Sequence, residues 1–143
     1  MSALRAMLAD PTATYAASVV SVTDGDTFRA TVNMGQLEIA DLTLDTVLGY
    51  PKGVSIRLRG CNAWELSTPA GKAARDNLSL LLRPGYVVRL SSVGMDKYGL
   101  RFDATVTLSD GSDLVAQLIA EQWAAPWDGK GTAPLPPWPR TVG

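Results

Sequence analysis

The sequence predicts a small, mainly β protein of the α+β class, built as a short-stranded barrel with peripheral helices. Three observations predict it. Short β-branched or alternating runs recur between turn signals such as Asp24-Gly25-Asp26, Pro84-Gly85 and Asp110-Gly111-Ser112. Two helical periods interrupt the strands in the order β-β-(insert)-β-α-β-β-α, with no βαβ repeat. The chain's 143 residues, 46% hydrophobic and 19% charged, suffice for one core and fit an ordinary globular composition.

Tyr15 to Val22, centred on Ser18-Val19-Val20-Ser21-Val22, reads as a strand. The Asp24-Gly25-Asp26 turn leads to the alternating Thr27 to Val32, which completes a hairpin. Residues 34–53 carry Leu37, Ile39, Leu42, Leu44 and Val47, enough for an extra hairpin inserted in the barrel. Val54 to Arg59 alternates again, with Ile56 and Leu58 on one face and Arg57 and Arg59 on the other. A helix starts at Ser67-Thr68-Pro69, shows Ala70, Ala74, Leu78 and Leu81 at helical spacing, and stops at Pro84-Gly85. Strands follow at Tyr86 to Leu90 and Phe102 to Leu108, joined by a polar loop over Ser91 to Gly99. A last helix runs from Asp113 to Trp123, with Leu114, Val115, Leu118 and Ile119 inward. From Pro126 the tail, with Trp127, Pro134, Pro136, Pro137, Trp138 and Pro139, suits neither regular helix nor strand. It is either a flexible end or a polyproline-like strap whose tryptophans pack on the barrel or on a protein partner. The expected organisation is an N-terminal segment 1–14, a domain 15–125 with its insertion at about 34–53, and a Pro/Trp-rich tail 126–143.

Composition removes whole classes of chemistry. The chain has no histidine, so Ser-His-Asp triads, histidine general bases and histidine metal ligands are excluded. Its single cysteine, Cys61, excludes an internal disulfide and cysteine-based zinc sites. No apolar run reaches the roughly 20 residues that span a bilayer, so no membrane partner is expected. Asp10 and Pro11 cut the apolar start short of a signal-peptide pattern, and the expected location is cytoplasmic. With 13 basic against 14 acidic residues, a net charge of −1, any hold on nucleic acid must be local rather than bulk electrostatic.

Two stretches carry chemistry, Asp24-Gly25-Asp26-Thr27 and Arg57-Leu58-Arg59-Gly60-Cys61-Asn62-Ala63-Trp64-Glu65. Each lies at a strand end. Together they offer oxygen ligands for a hard cation, a carboxylate to activate water, and guanidinium donors for a phosphate. Each also has a plainer reading: Asp-Gly-Asp as a hairpin turn, Arg57 as a solvated strand-face residue, and Glu65 as an acid favoured at a helix N-terminus.

The chain resembles the staphylococcal-nuclease-like (thermonuclease) family, whose core is a five-stranded OB-fold barrel. The matching stretches are VVSVTDGDTFRA, RLRGCNAWE with the following STPAGKAARDNLSLLL, DKYGLRFDATV and DGSDLVAQLIAEQWA, in the family's order over residues 15–125. Some phage-encoded relatives also end in a proline-rich tail, so a phage or bacterial source is expected. The resemblance implies a calcium site at Asp26, with Asp24 behind it. The family's active-site strand reads Arg-Leu-x-Gly-x-Asp-x-Pro-Glu. Onto it Arg57 matches the phosphate-binding arginine and Glu65 the carboxylate that positions or deprotonates water. Asn62 stands where the second calcium carboxylate is usual; its amide oxygen can coordinate but brings no charge, so Ca2+ should be weakly held. The backbone oxygen of Ala63 remains a candidate ligand. Trp64 replaces the usual proline and offers a stacking face for a base, or is simply core. The family's Asp-Lys-Tyr-Gly-Arg becomes Asp96-Lys97-Tyr98-Gly99-Leu100-Arg101, so Arg101 serves as the second phosphate arginine if Leu100 is a loop insertion. Lys97 and Tyr98 fit substrate contacts, and Arg59, Lys72 and Arg75 add local positive charge.

The expectation is a calcium-dependent nuclease acting on DNA or RNA with little sequence preference, single strands favoured. The competing expectations are a catalytically weakened OB module that binds or builds an assembly such as a phage particle, and a calcium-indifferent single-strand binder.

Overall fold

The computed structural model describes residues 13–33, 53–95 and 101–137. The expected extra hairpin (34–52 of it), most of the N-terminal segment, Lys97, Tyr98, Leu100 and Trp138 lie outside the described residues.

Strands β1 (Thr14–Asp24), β2 (Thr27–Val32), β3 (Val54–Leu58), β5 (Val87–Met95) and β6 (Phe102–Thr107) close a mixed barrel in the order β1-β2-β3-β6-β5. Every barrel neighbour is antiparallel except β3 and β6, which run parallel with Arg57 opposite Asp103. This is the expected OB-like barrel. Between β3 and β5 come β4 (Cys61–Asn62) and helix α1 (Pro69–Leu81), while α2 (Leu114–Ala120) follows β6 and β7 (Ala125–Pro126) pairs back onto β4. Alternation fills the interior: Phe28, Ala30 and Val32 from β2, Val54, Ile56 and Leu58 from β3, and Ala104 and Val106 from β6 are buried. Bulges in β1, at Val19/Ser21 and Val22/Asp24, supply the bend that closure needs.

Several expected boundaries move. β5 continues through Ser91 to Met95, where a polar loop was expected; a register shift between Ser91 and Gly94, with Ser92 at φ 50°, bends it instead of ending it. The second helix is shorter, Leu114–Ala120, with the Asp113 carboxylate capping Ala116 N at 3.0 Å. For α1 the cap is Thr68, whose hydroxyl accepts from Gly71 N at 2.9 Å. Pro126 belongs to a two-residue strand rather than to wholly irregular chain. Among the described residues no helix is long and apolar enough to cross a membrane.

Candidate functional site

At the start of β2 the chain needs its glycine. A Cβ on Gly25 would meet the Cβ atoms of Ala74 at 2.7 Å and Ala63 at 2.9 Å, so only glycine lets the turn press between α1 and the segment after β4. That approach seats Asp26 at 7% exposure, the one buried carboxylate among the described residues. Its Oδ1 accepts from Thr27 Oγ1 at 3.0 Å, and its Oδ2 from Ala63 N at 3.1 Å. Asp24 Oδ1 in turn accepts from Asp26 N at 3.1 Å. Burial, with Asp26 beside it, pushes the Asp24 carboxyl from its ordinary 3.8 up to about 6.

Across from Asp26, β3 carries Arg57, paired in register with Thr27. The turn at Arg59-Gly60, with Gly60 at φ 98°, reverses the chain within two residues and returns Asn62 to Arg57. Glycine is required there because L side chains strain at that φ. Arg57 Nη2 lies 3.3 Å from Asp26 Oδ2 and 3.3 Å from Asn62 Oδ1, and Nη1 lies 3.4 Å from the Cys61 carbonyl oxygen. On its open side the guanidinium carbon is 5.4 Å from the centre of the Trp127 ring. These contacts are many and long, where a dedicated ion pair would be short. The guanidinium is oriented without being locked.

Asp26 Oδ2 and Asn62 Oδ1 therefore converge on one cationic nitrogen. Oxygens so aimed are also of the donor type that hard divalent cations take. The donor set is one carboxylate and one amide, leaving the other positions to water or substrate. Among the described residues no group of three or more His, Cys, Asp or Glu gathers as a metal site. Ala63 faces Asp26 through its amide N–H.

The tail crosses this cluster. Trp127 N donates to the Gly60 carbonyl at 3.0 Å, and the Asn62 amide donates to the Pro134 carbonyl at 3.0 Å. The described tail thus adopts the strap arrangement, an interaction that proline-rich sequence without periodicity could not locate. A cavity of about 300 Å³ is lined by Arg57, Asn62, Arg101, Asp103, Trp127, Gly129 and Ala133. A second, of about 360 Å³, is lined by Asn62, Ala63, Trp64, Glu65, Thr68, Ala133 and Leu135. Arg101 and Arg57 thus line one cavity. Glu65, exposed, shares its cavity with Asn62 rather than with the arginines. It is held by its backbone: its carbonyl accepts from Thr68 N at 3.0 Å and Thr68 Oγ1 at 2.7 Å. Arg59 points its guanidinium at the carbonyls of Ser92 (3.1 Å) and Asp103 (3.5 Å), and Arg75 pairs with Asp76 at 3.0 Å. Cys61 is fully buried, and burial together with Asp26 pushes its thiol up to about 12.

No protein-family model matches the chain, and no curated protein is found to match it.

Proposed function

We propose that this protein is a calcium-dependent nuclease that hydrolyses phosphodiester bonds of DNA or RNA with little sequence preference. The observation that carries the reading is the convergence of Asp26 Oδ2 and Asn62 Oδ1 on Arg57, beside a cavity shared by Arg57 and Arg101. A Ca2+ ion held by Asp26 and Asn62 would neutralise a phosphate oxygen. Arg57 exchanges its long contacts for the scissile phosphate, and Arg101, on the same cavity, takes a second equatorial oxygen; together they hold the charge that grows in the transition state. Glu65 orients water for in-line attack or removes its proton. Trp64 and Arg59 contact the rest of the strand in this reading, as do Lys97 and Tyr98.

The test is cleavage of single-stranded DNA in the presence of calcium by the parent chain and by Glu65→Gln. The amide is isosteric and exposed, so the fold is spared while turnover falls by about 100-fold or more, in the range of a lost general base. Equal turnover by both proteins would remove Glu65 from the mechanism.

A second reading has its own support. The Pro134 carbonyl engages the Asn62 amide and Trp127 faces Arg57, as they would in a site retained for binding inside an assembly such as a phage particle. This reading, whether cytoplasmic or phage-associated, predicts weak calcium-dependent cleavage of single-stranded DNA by the parent chain and a large gain in Asn62→Asp; strong cleavage by the parent would sink it.

A further inference from the structure

The two cavities that meet at Asn62 and Ala133 differ in charge. One holds both arginines against a single carboxylate, Asp103; the other has Glu65 as its one charged residue, and its remaining lining includes Trp64, Ala63, Ala133 and Leu135. A phosphate is attracted to the first and repelled from the second. An uncharged aromatic ring suits the second, which has an aromatic and aliphatic wall with the Asn62 amide and Thr68 hydroxyl on its polar side. A nucleotide has this same polarity, an anionic end joined to a neutral aromatic one. Leu135 strengthens the match. It is 56% exposed, yet its neighbours are fixed: Pro134 accepts the Asn62 hydrogen bond and Pro136 is buried. Two anchored prolines thus hold an apolar side chain at the cavity rim rather than in the core.

Building on the nuclease reading, we infer that the cavity between Trp64 and Leu135 is a nucleobase subsite completed by the tail. Its occupant is the base of a nucleotide whose phosphate lies at Arg57 and Arg101. The tail contributes to both chambers through Ala133, and β4 does so through Asn62. A base can enter only when it is unpaired and out of its stack, so residues 133–135 make the site selective for single strands over duplex.

The experiment measures calorimetric binding of deoxyadenosine 5′-monophosphate and of 2-deoxyribose 5-phosphate, which carries the phosphate without the base. The full chain binds the nucleotide at least about tenfold tighter than the sugar phosphate, the size of one stacked base. Leu135→Ser, neutral so that it does not repel phosphate, removes most of that advantage and leaves sugar phosphate binding unchanged. Leu80→Ser, at an exposed position on α1 outside either cavity, changes neither ligand. Equal affinities in the parent, no binding of either ligand, or an undiminished advantage in Leu135→Ser would each overturn the subsite. Calcium-dependent cleavage by the parent, assayed alongside, separates the two ideas. Cleavage without a base advantage sinks the subsite alone, and a Leu135-dependent base advantage without cleavage sinks the nuclease reading alone.

Discussion

On the proposed calcium reading, replacing Asn62 by Asp should tighten the ion's binding, and the size of the gain follows from geometry. Asn62 Oδ1 and Asp26 Oδ2 both sit 3.3 Å from the same cationic nitrogen. At that separation a pair of unit charges is worth about 5 kcal/mol at an effective dielectric of ~20 and about 1.3 kcal/mol in water. Asn62 is half-buried, so the true value lies between. A divalent ion doubles the attraction, whereas repulsion from Asp26 and competition from Arg57, now flanked by two carboxylates, subtract from it. A net gain of about 2–3 kcal/mol remains, or about 30- to 150-fold tighter calcium binding. The lost hydrogen bond to Pro134 costs about 1 kcal/mol and falls on the tail. Calorimetric titration of both proteins with calcium measures the difference. A change of less than about threefold, or a fall in affinity, would refute the proposed calcium binding by these two oxygens.

Three other outcomes follow from the same geometry. The folded protein binds the Asp24 proton more tightly than the unfolded chain, about 6 against 3.8, so this group's stabilisation is full below 3.8 and lost as pH rises to 6. Asp24→Asn should therefore raise the urea midpoint in chelator at pH 7.5 but hardly at pH 4, and a pH-independent effect would contradict the burial of that carboxyl. The Cys61 thiol, buried and held near 12, should resist a thiol reagent at pH 8 until the protein unfolds; prompt labelling of native protein would contradict its place in the core. In Gly71→Ala the new Cβ would collide with the Glu65 carbonyl, forcing α1 and the Glu65 segment apart. Thermal unfolding should report about 1–3 kcal/mol of destabilisation, and a neutral substitution would contradict the packing of that segment on α1.

The barrel was legible where a single local pattern decides the outcome. Alternation in Thr27 to Val32 and Val54 to Leu58 predicts strands with one buried face, and the Ala70, Ala74, Leu78 spacing predicts α1 almost to its ends. Polar Ser91-Ser92 looked like a loop because nothing local reveals that β5 continues after its bend; its pairing partners lie on β6. The two-residue strands β4 and β7 are too short to leave a pattern, and only tertiary pairing creates them. At the site, Asp26, Arg57 and Asn62 were singled out from their motifs, and the structure brings Asp26 and Asn62 within hydrogen-bonding reach of Arg57. Glu65 was expected among them, but it opens onto the neighbouring cavity with Asn62. A strap was one of the two readings of the tail, but its particular contacts, Trp127 on Arg57 and Pro134 on Asn62, were illegible, since they join tail residues that have no period to β3 and β4 some seventy residues earlier.

The most direct measurement is digestion of single-stranded DNA by the purified full chain in excess chelator, followed by stepwise return of calcium. The account predicts no cleavage in chelator and turnover that rises with free calcium, and that is lost in Asp26→Asn. Undiminished digestion in chelator, or a calcium response unchanged by Asp26→Asn, would contradict it.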